Sequence, residues 1–304
     1  MAVLFNIVLP VFLVAGLAAL VHRPLGFDLR TFSRGAFYLF TPALICDLLL
    51  TSDVDGWEFV RILVAQLAVT AVLWGLGEAV ARLLRLDGPT RSGLLISLLF
   101  MNAGNYGLPV TLFAFGQPGM TRATIYFAIS ATTSASLGVF LAARGRLTVK
   151  SALGRVTTAP LIYAAAFGLF CNFLKVPLPE LLTKAIHLLG QASVPVYLIV
   201  LGIQLSKAFE ERGGMGKNWP ALVFVVAARL LLSPALTFGV VGLMGMGAPA
   251  WQTVVVESAM PSAVMSTILA HEFDSDPPFV ARVILVTTLL SLLTLTVLLN
   301  FMLG

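Results

Sequence analysis

Long apolar runs alternate along the chain with short gaps that hold charge, glycine and proline, and ten such runs fall at about 1–21, 35–51, 58–81, 92–116, 121–142, 156–174, 182–206, 218–245, 250–271 and 278–302. Most are close to the roughly 20 residues a helix needs to cross hydrocarbon. A strand in lipid would leave its backbone donors and acceptors unpaired, and the runs are too long and too evenly apolar for the alternating strands of a barrel. Every run is therefore predicted to be helical. The first run has no basic segment ahead of it and is followed by further spans, so it reads as a retained helix rather than a cleaved leader.

Composition strengthens this picture. Of 304 residues 59% are hydrophobic and 11% charged, with mean hydropathy +0.97, which excludes an ordinary soluble domain. A net charge of +5 could suggest a nucleic-acid partner, but no basic run is interleaved with aromatics, and the cations sit in the gaps between apolar runs. No nucleic acid is expected; the partner is the bilayer. Fourteen of the nineteen Lys and Arg residues fall in alternate gaps, from Arg23 to Arg282. By the positive-inside rule that face is cytoplasmic, so both termini are predicted to be periplasmic in a multi-pass inner-membrane protein. Trp57, Trp219 and Trp251 fall at run ends, where an indole keeps its ring in the acyl chains and its N–H among headgroups. Cys46 and Cys171 lie inside apolar runs and read as small buried hydrophobes.

The basic gap 143–155 leaves five runs on each side, predicting a first repeat 1–143, a cytoplasmic linker 144–155 and a second repeat 156–304. Five is odd, so such repeats must be inverted. Pro42 and Pro109 lie in the second and fourth runs, and Pro195 and Pro261 in the seventh and ninth, equivalent places in both halves. Interrupted helices in matching positions mark the binding region of inverted-repeat transporters.

The chemistry concentrates there. The fourth run contains Asn102-Ala103-Gly104-Asn105-Tyr106-Gly107-Leu108-Pro109, and the ninth contains Glu257-Ser258-Ala259-Met260-Pro261-Ser262. Both are predicted to break near their prolines, freeing backbone groups that lipid cannot satisfy. Two kinked packing helices are the plain alternative. If the helices cross, half-helices starting after Pro109 and Pro261 would aim positive N-terminal ends at one point, which suits an anion. Asn102 and Asn105, seven and four residues before Pro109, would share a face that looks into the crossing. The candidate substrate contacts are Asn102, Asn105, Tyr106, Pro109, Pro261 and Ser262. Glu257, one turn before Pro261, is a candidate for proton coupling. Arg229, a cation inside the eighth run, is either the partner of a carboxylate such as Glu257 or Glu78, or an anion contact. His22, His187 and His271 have no metal-ligand spacing, and the acidic stretch from Glu272 to Asp276 reads as a solvated turn. Phosphate loops, nucleophile elbows and metalloprotease motifs are absent from the sequence, so neither catalysis nor a cofactor is expected.

At these residues the chain resembles the auxin efflux carrier family, which includes the plant PIN carriers and bacterial carriers of malonate and malate type. The carrying motifs are Asn102, Asn105-Tyr106, Gly107-Leu108-Pro109, Ala259-Met260-Pro261 and Ala270-His271-Glu272-Phe273, with Arg229, Pro234, Gly190, Pro195 and Gly202. The resemblance implies an all-α fold of ten transmembrane helices in two inverted five-helix repeats, with helices 4 and 9 broken and crossing. It further implies a transport unit of spans 3–5 and 8–10, a scaffold of spans 1, 2, 6 and 7, and an elevator-like movement. The plant motif has an early proline that this chain lacks, and the long plant loop is replaced by 143–155, which suits a bacterial carrier of small organic acid anions. Proton coupling and a homodimer are compatible with that reading. A sodium-coupled bile-acid-type symporter, a membrane receptor and an uncoupled channel are the competing readings.

Overall fold

A computed structural model describes residues 3–142, 160–212 and 218–303. They are helical almost throughout: α1 Leu4–Val21, α2 Leu29–Leu50, α3 Gly56–Leu83, α4 Gly88–Leu99, α5 Leu108–Thr133, α6 Pro160–Phe173, α7 Glu180–Glu211, α8 Trp219–Leu243, α9 Ala250–Ser258, α10 Met265–Phe273 and α11 Pro277–Leu303. Six of these helices, α1, α2, α3, α7, α8 and α11, are long and apolar enough to cross a membrane. The run expected at 92–116 is interrupted after Leu99, and that at 250–271 after Ser258. The run expected at 121–142 is joined to its predecessor within α5 through Gly116, whose φ of 63° and ψ of −159° turn the chain. The expected linker 144–155 lies outside the described residues.

The prolines act differently from the sequence expectation. Proline lacks an N–H and its ring crowds the carbonyl four residues back, so a straight α-helix cannot run through it. Four times the chain answers by widening one turn just ahead of the ring: π turns at Leu4–Val8, Ala36–Phe40, Ala103–Gly107 and Ala228–Leu232 precede Pro10, Pro42, Pro109 and Pro234. In each, the residue before the proline donates its N–H five residues back, as Leu108 does to Ala103 and Ser233 to Ala228. Helix direction survives with a local bulge. Pro109 thus lies inside a continuous helical stretch, and the fourth run breaks before it, at Phe100–Asn102.

Aspartates set several starts. Asp28, Asp55 and Asp87 accept from the backbone N–H of Thr31 (2.9 Å), Glu58 (2.6 Å) and Thr90 (2.9 Å), satisfying donors that the first turn leaves unpaired. On α1, Val8, Val11 and Ala15 are buried while Leu13, Leu17 and Leu20 are exposed. A helix apolar on all sides, with its leucines outward, is built for lipid. In packing, α2 lies against α6 and α7, and α1 against α7; α9 lies against α5 and α8, and α3 against α4 and α8. The two interrupted passes meet within the second group.

Candidate functional site

The breaks are paired with each other. Asn102 N–H donates to Pro261 C=O (2.8 Å) and Ala263 N–H to Phe100 C=O (2.8 Å), making an antiparallel bridge centred on Met101 and Ser262. Each unwound segment thereby supplies the partners that lipid could not. A helix C-terminus leaves its last carbonyls without intrahelical donors, and those of α4 are taken one by one. Ser266 Oγ donates to Ile96 C=O (3.1 Å), Ser262 Oγ to Ser97 C=O (2.7 Å) and Arg229 Nη1 to Leu98 C=O (2.9 Å). Ser262, a candidate contact in the sequence, and Ser266 both hold carbonyls at the end of α4.

Arg229 is fully buried in the π turn of α8. Its Nη2 donates to Ser258 C=O (2.5 Å), the last residue of α9, and to Ser233 Oγ, which itself donates to Ser258 C=O (3.0 Å). The expected carboxylate partner is not what it meets: Glu78 pairs with Arg91 instead, and Glu257 turns toward α5. The reason is local. Two helix C-termini converge at Arg229, and their carbonyls offer the negative ends that a guanidinium needs.

Glu257 is also fully buried. Thr111 Oγ1 lies 2.9 Å from Glu257 Oε1 and 2.8 Å from Gly107 C=O, so its single proton serves one or the other. When it serves Gly107, a protonated Glu257 can donate to Thr111 in return. The second carboxyl oxygen, Oε2, has no hydrogen-bond partner among the described residues. The carboxyl lies so close to the backbone of Gly107 that a methyl group there would overlap it.

On the far side of the bridge is a cavity of about 350 Å³. Met101, Asn102, Gly104 and Asn105 line it from the first break, and Ala263, Val264 and Met265 from the second. The helical stretch from Ala103 and α10 from Met265 both begin at this wall, and first turns present N–H groups without intrahelical partners. Asn102 is 5% exposed, and its Nδ2 has no partner among the described residues. Asn105 Nδ2 donates to Gln204 Oε1 across to α7 (3.1 Å). Phe37, Phe127, Val200 and Ile268 give the cavity apolar walls, and Ser33 and Glu272 also line it.

Of the six expected contacts, Asn102 and Asn105 line the cavity, although not as one face of a half-helix: Asn102 lies in the extended break and Asn105 in the π turn. Tyr106, Pro109, Pro261 and Ser262 are not among its lining residues and belong to the frame. Tyr106 receives a hydrogen bond from Ser291 (3.1 Å) and stacks edge-on against Phe12. The sequence reading missed Gln204, Tyr197 and Thr41, the last two joined by a 2.7 Å hydrogen bond at the cavity wall. A glutamine within the apolar run of α7 was the available signal. At the other end of the chain's polar groups, Arg122 is buried beside Asp53 and Glu58 (3.2 and 2.5 Å). Its hydrogen bond holds the Asp53 carboxyl below the usual carboxylate range. His187 pairs with Asp47 (2.9 Å), and His271 with Glu211 (3.0 Å).

Residues 3–299 match the family described as membrane transport protein. An uncharacterized transporter of Methanothermobacter thermautotrophicus is 29% identical over 88% of this chain and 87% of its own length. A candidate malonate transporter of Rhizobium meliloti is 28% identical over 97% of this chain and 95% of its own. An uncharacterized transporter of Methanocaldococcus jannaschii is 29% identical over 67% of this chain and 66% of its own. With one family spanning nearly the whole of a chain whose helices suit a bilayer, the protein is a multi-pass membrane transporter and belongs to the membrane transport proteins of the auxin efflux carrier family.

Proposed function

We propose that the protein is a secondary carrier of small organic acid anions, and that its substrate carboxylate binds in the cavity against Asn102 and Asn105. One observation carries this reading: two half-helix N-termini lie at the wall of one cavity, and Asn102, which lines it, keeps a buried amide donor without a partner among the described residues. N-terminal N–H groups and an amide can hold a carboxylate without a cationic side chain. Tyr106, Pro109, Pro261 and Ser262 act through the frame, keeping those donors aimed. The candidate malonate transporter among the relatives makes malonate the first substrate to try.

Counting each broken pair as one pass, and dividing α5 and its continuation at Gly116, yields ten passes in two inverted halves, 1–143 and 156–304 joined by 144–155. Both termini are then periplasmic and the membrane is the inner membrane. The cavity runs from the breaks toward Ser33 and Glu272, at the basic, cytoplasmic end, which makes this an inward-facing state. In this reading α1, α2, α6 and α7 are the scaffold and the crossing moves past them like an elevator. Asn105–Gln204 is a hydrogen bond that such a movement must exchange. Glu257 takes up and releases the coupling proton at the seam between α9 and α5, with Thr111 redirecting its hydroxyl.

The test is counterflow in proteoliposomes. Labelled malonate, or another carboxylate from a panel of mono- and dicarboxylates, should accumulate faster when the same anion is trapped on the far side. Uptake that is indifferent to trapped anion would indicate a channel, and no uptake of any carboxylate would remove the anion reading.

A further inference from the structure

The side of the crossing away from the cavity holds a charge arrangement that the proposed binding chemistry does not use. α4 and α9 both end there, and a helix C-terminus behaves as roughly half a negative charge. Two such ends sum to about one charge, in a place where no water or lipid headgroup reaches them. The compensating group is the Arg229 guanidinium, fully buried, with one fork on Leu98 C=O (2.9 Å) and the other on Ser258 C=O (2.5 Å). Ser233 closes the gap by donating to Ser258 C=O (3.0 Å). Among the described residues no carboxylate pairs with Arg229. Its acceptors among the described residues are two helix-end carbonyls and a serine hydroxyl.

A planar guanidinium with donors on two forks can span carbonyls from different helices, which a single ammonium cannot do in the same geometry. The alternative way to neutralise converging helix ends is a bound inorganic cation, coordinated by those carbonyls. Here the carbonyls are already taken.

We propose that Arg229 is a positioning residue that locks the two breaks in register, a tethered counter-ion standing where a crossing of this kind would otherwise bind a cation. It never touches the transported anion. It fixes Leu98 and Ser258, hence the bridge at Met101 and Ser262, and through the bridge the direction of the Asn102 donors. The inference rests on reading the crossing as the transport site, but its first test does not need a substrate. Transport by the parent protein then gains nothing from sodium at the crossing.

The experiment begins with the thermal stability of purified Arg229→Ala in detergent. Millimolar guanidinium chloride should raise its melting temperature relative to choline chloride of equal concentration, while the parent shows no such gain. In proteoliposomes with labelled malonate, guanidinium should restore counterflow to Arg229→Ala. Arg229→Lys should fold yet transport about tenfold or more slowly, since one of two buried charge-assisted contacts is lost. Replacing sodium by choline should leave parent counterflow unchanged. Guanidinium no better than choline for Arg229→Ala, or parent-like counterflow by Arg229→Lys, would overturn the proposal. If Arg229→Ala does not fold, Arg229→Lys and the sodium replacement decide it: a parent melting temperature or counterflow rate that rises specifically with sodium contradicts it. Rescue of stability by guanidinium, in a parent that moves no carboxylate, would uphold Arg229 and refute the substrate reading instead.

Discussion

On the Arg229 side of the crossing, two helix C-termini, a guanidinium and the Ser233 hydroxyl close on one another; on the cavity side, two helix N-termini and Asn102 line a space of about 350 Å³. Both sides are made by the same two breaks. The difference shows a division of labour within one motif. Carbonyl ends are bonded inside the protein, because nothing in lipid can replace those bonds, whereas the N-terminal ends lie at the cavity wall beside Asn102, whose side-chain donor has no partner among the described residues. A break whose ends were all satisfied internally would be a kink; one whose ends were all left open would not be stable. Glu257 sits at the seam, bonded through one oxygen and, among the described residues, unpartnered through the other.

The comparison can be broken most severely at Gly107. A methyl group there overlaps the Glu257 carboxyl, so Gly107→Ala should force α5 and α9 apart. We expect a loss of about 1–3 kcal/mol of stability and abolished counterflow, read by thermal melting and transport together. A neutral Gly107→Ala would mean that the seam is not tight.

Next comes Glu257→Gln, which imitates the protonated carboxyl. It should insert, fold and exchange substrate, yet lose accumulation driven by a pH gradient. Transport with unaltered pH dependence would remove Glu257 from coupling.

Asn102→Ala sharpens the contrast between bonded and open ends. Loss of one buried donor to a carboxylate costs about 1–3 kcal/mol, or roughly one to two decades of affinity. Because Nδ2 has no partner among the described residues, the melting temperature should hardly move. Asn105→Ala should weaken binding less and also disturb Gln204, which Gln204→Ala should mimic.

The smallest effect lies far from the crossing, at Asp53. Arg122 holds its carboxyl below the usual range, so their pairing stabilises the fold above about pH 4 and the contribution is lost as pH falls through the lowered native value. The Asp53 side chain is 76% exposed, so screening limits the gain to about 0.2–1 kcal/mol. The melting temperatures of Asp53→Asn and the parent should differ slightly at neutral pH and converge in acid.

Much of this was legible in the chain. Apolar runs located the helices, and the cluster of Asn102, Asn105, Gly107 and Pro109 with Glu257 and Pro261 located the crossing. What the pattern could not show was the exact hydrogen-bond ladder. A π turn shifts bonding by one residue without changing the hydrophobic period, so Pro109 read as a break while the chain unwinds earlier, at Phe100–Asn102. Arg229 read as either an ion-pair partner or an anion contact because helix-end carbonyls carry no sequence signature. Gln204 and Tyr197 reach the cavity only through the packing of α7 beside the first break, a tertiary contact invisible to local pattern.

The central claim is that a carboxylate occupies the cavity on the N-terminal side of the crossing. In a chain with Cys46 and Cys171 replaced by alanine, a single cysteine at Ala131, on the cavity wall, should react with a maleimide more slowly in the presence of a transported carboxylate. A cysteine at Arg61, in the separate pocket beside Glu58, should not be affected by the same anion. Protection at 131 and none at 61 is the predicted result; unprotected labelling at 131, in a protein that transports that anion, would contradict it.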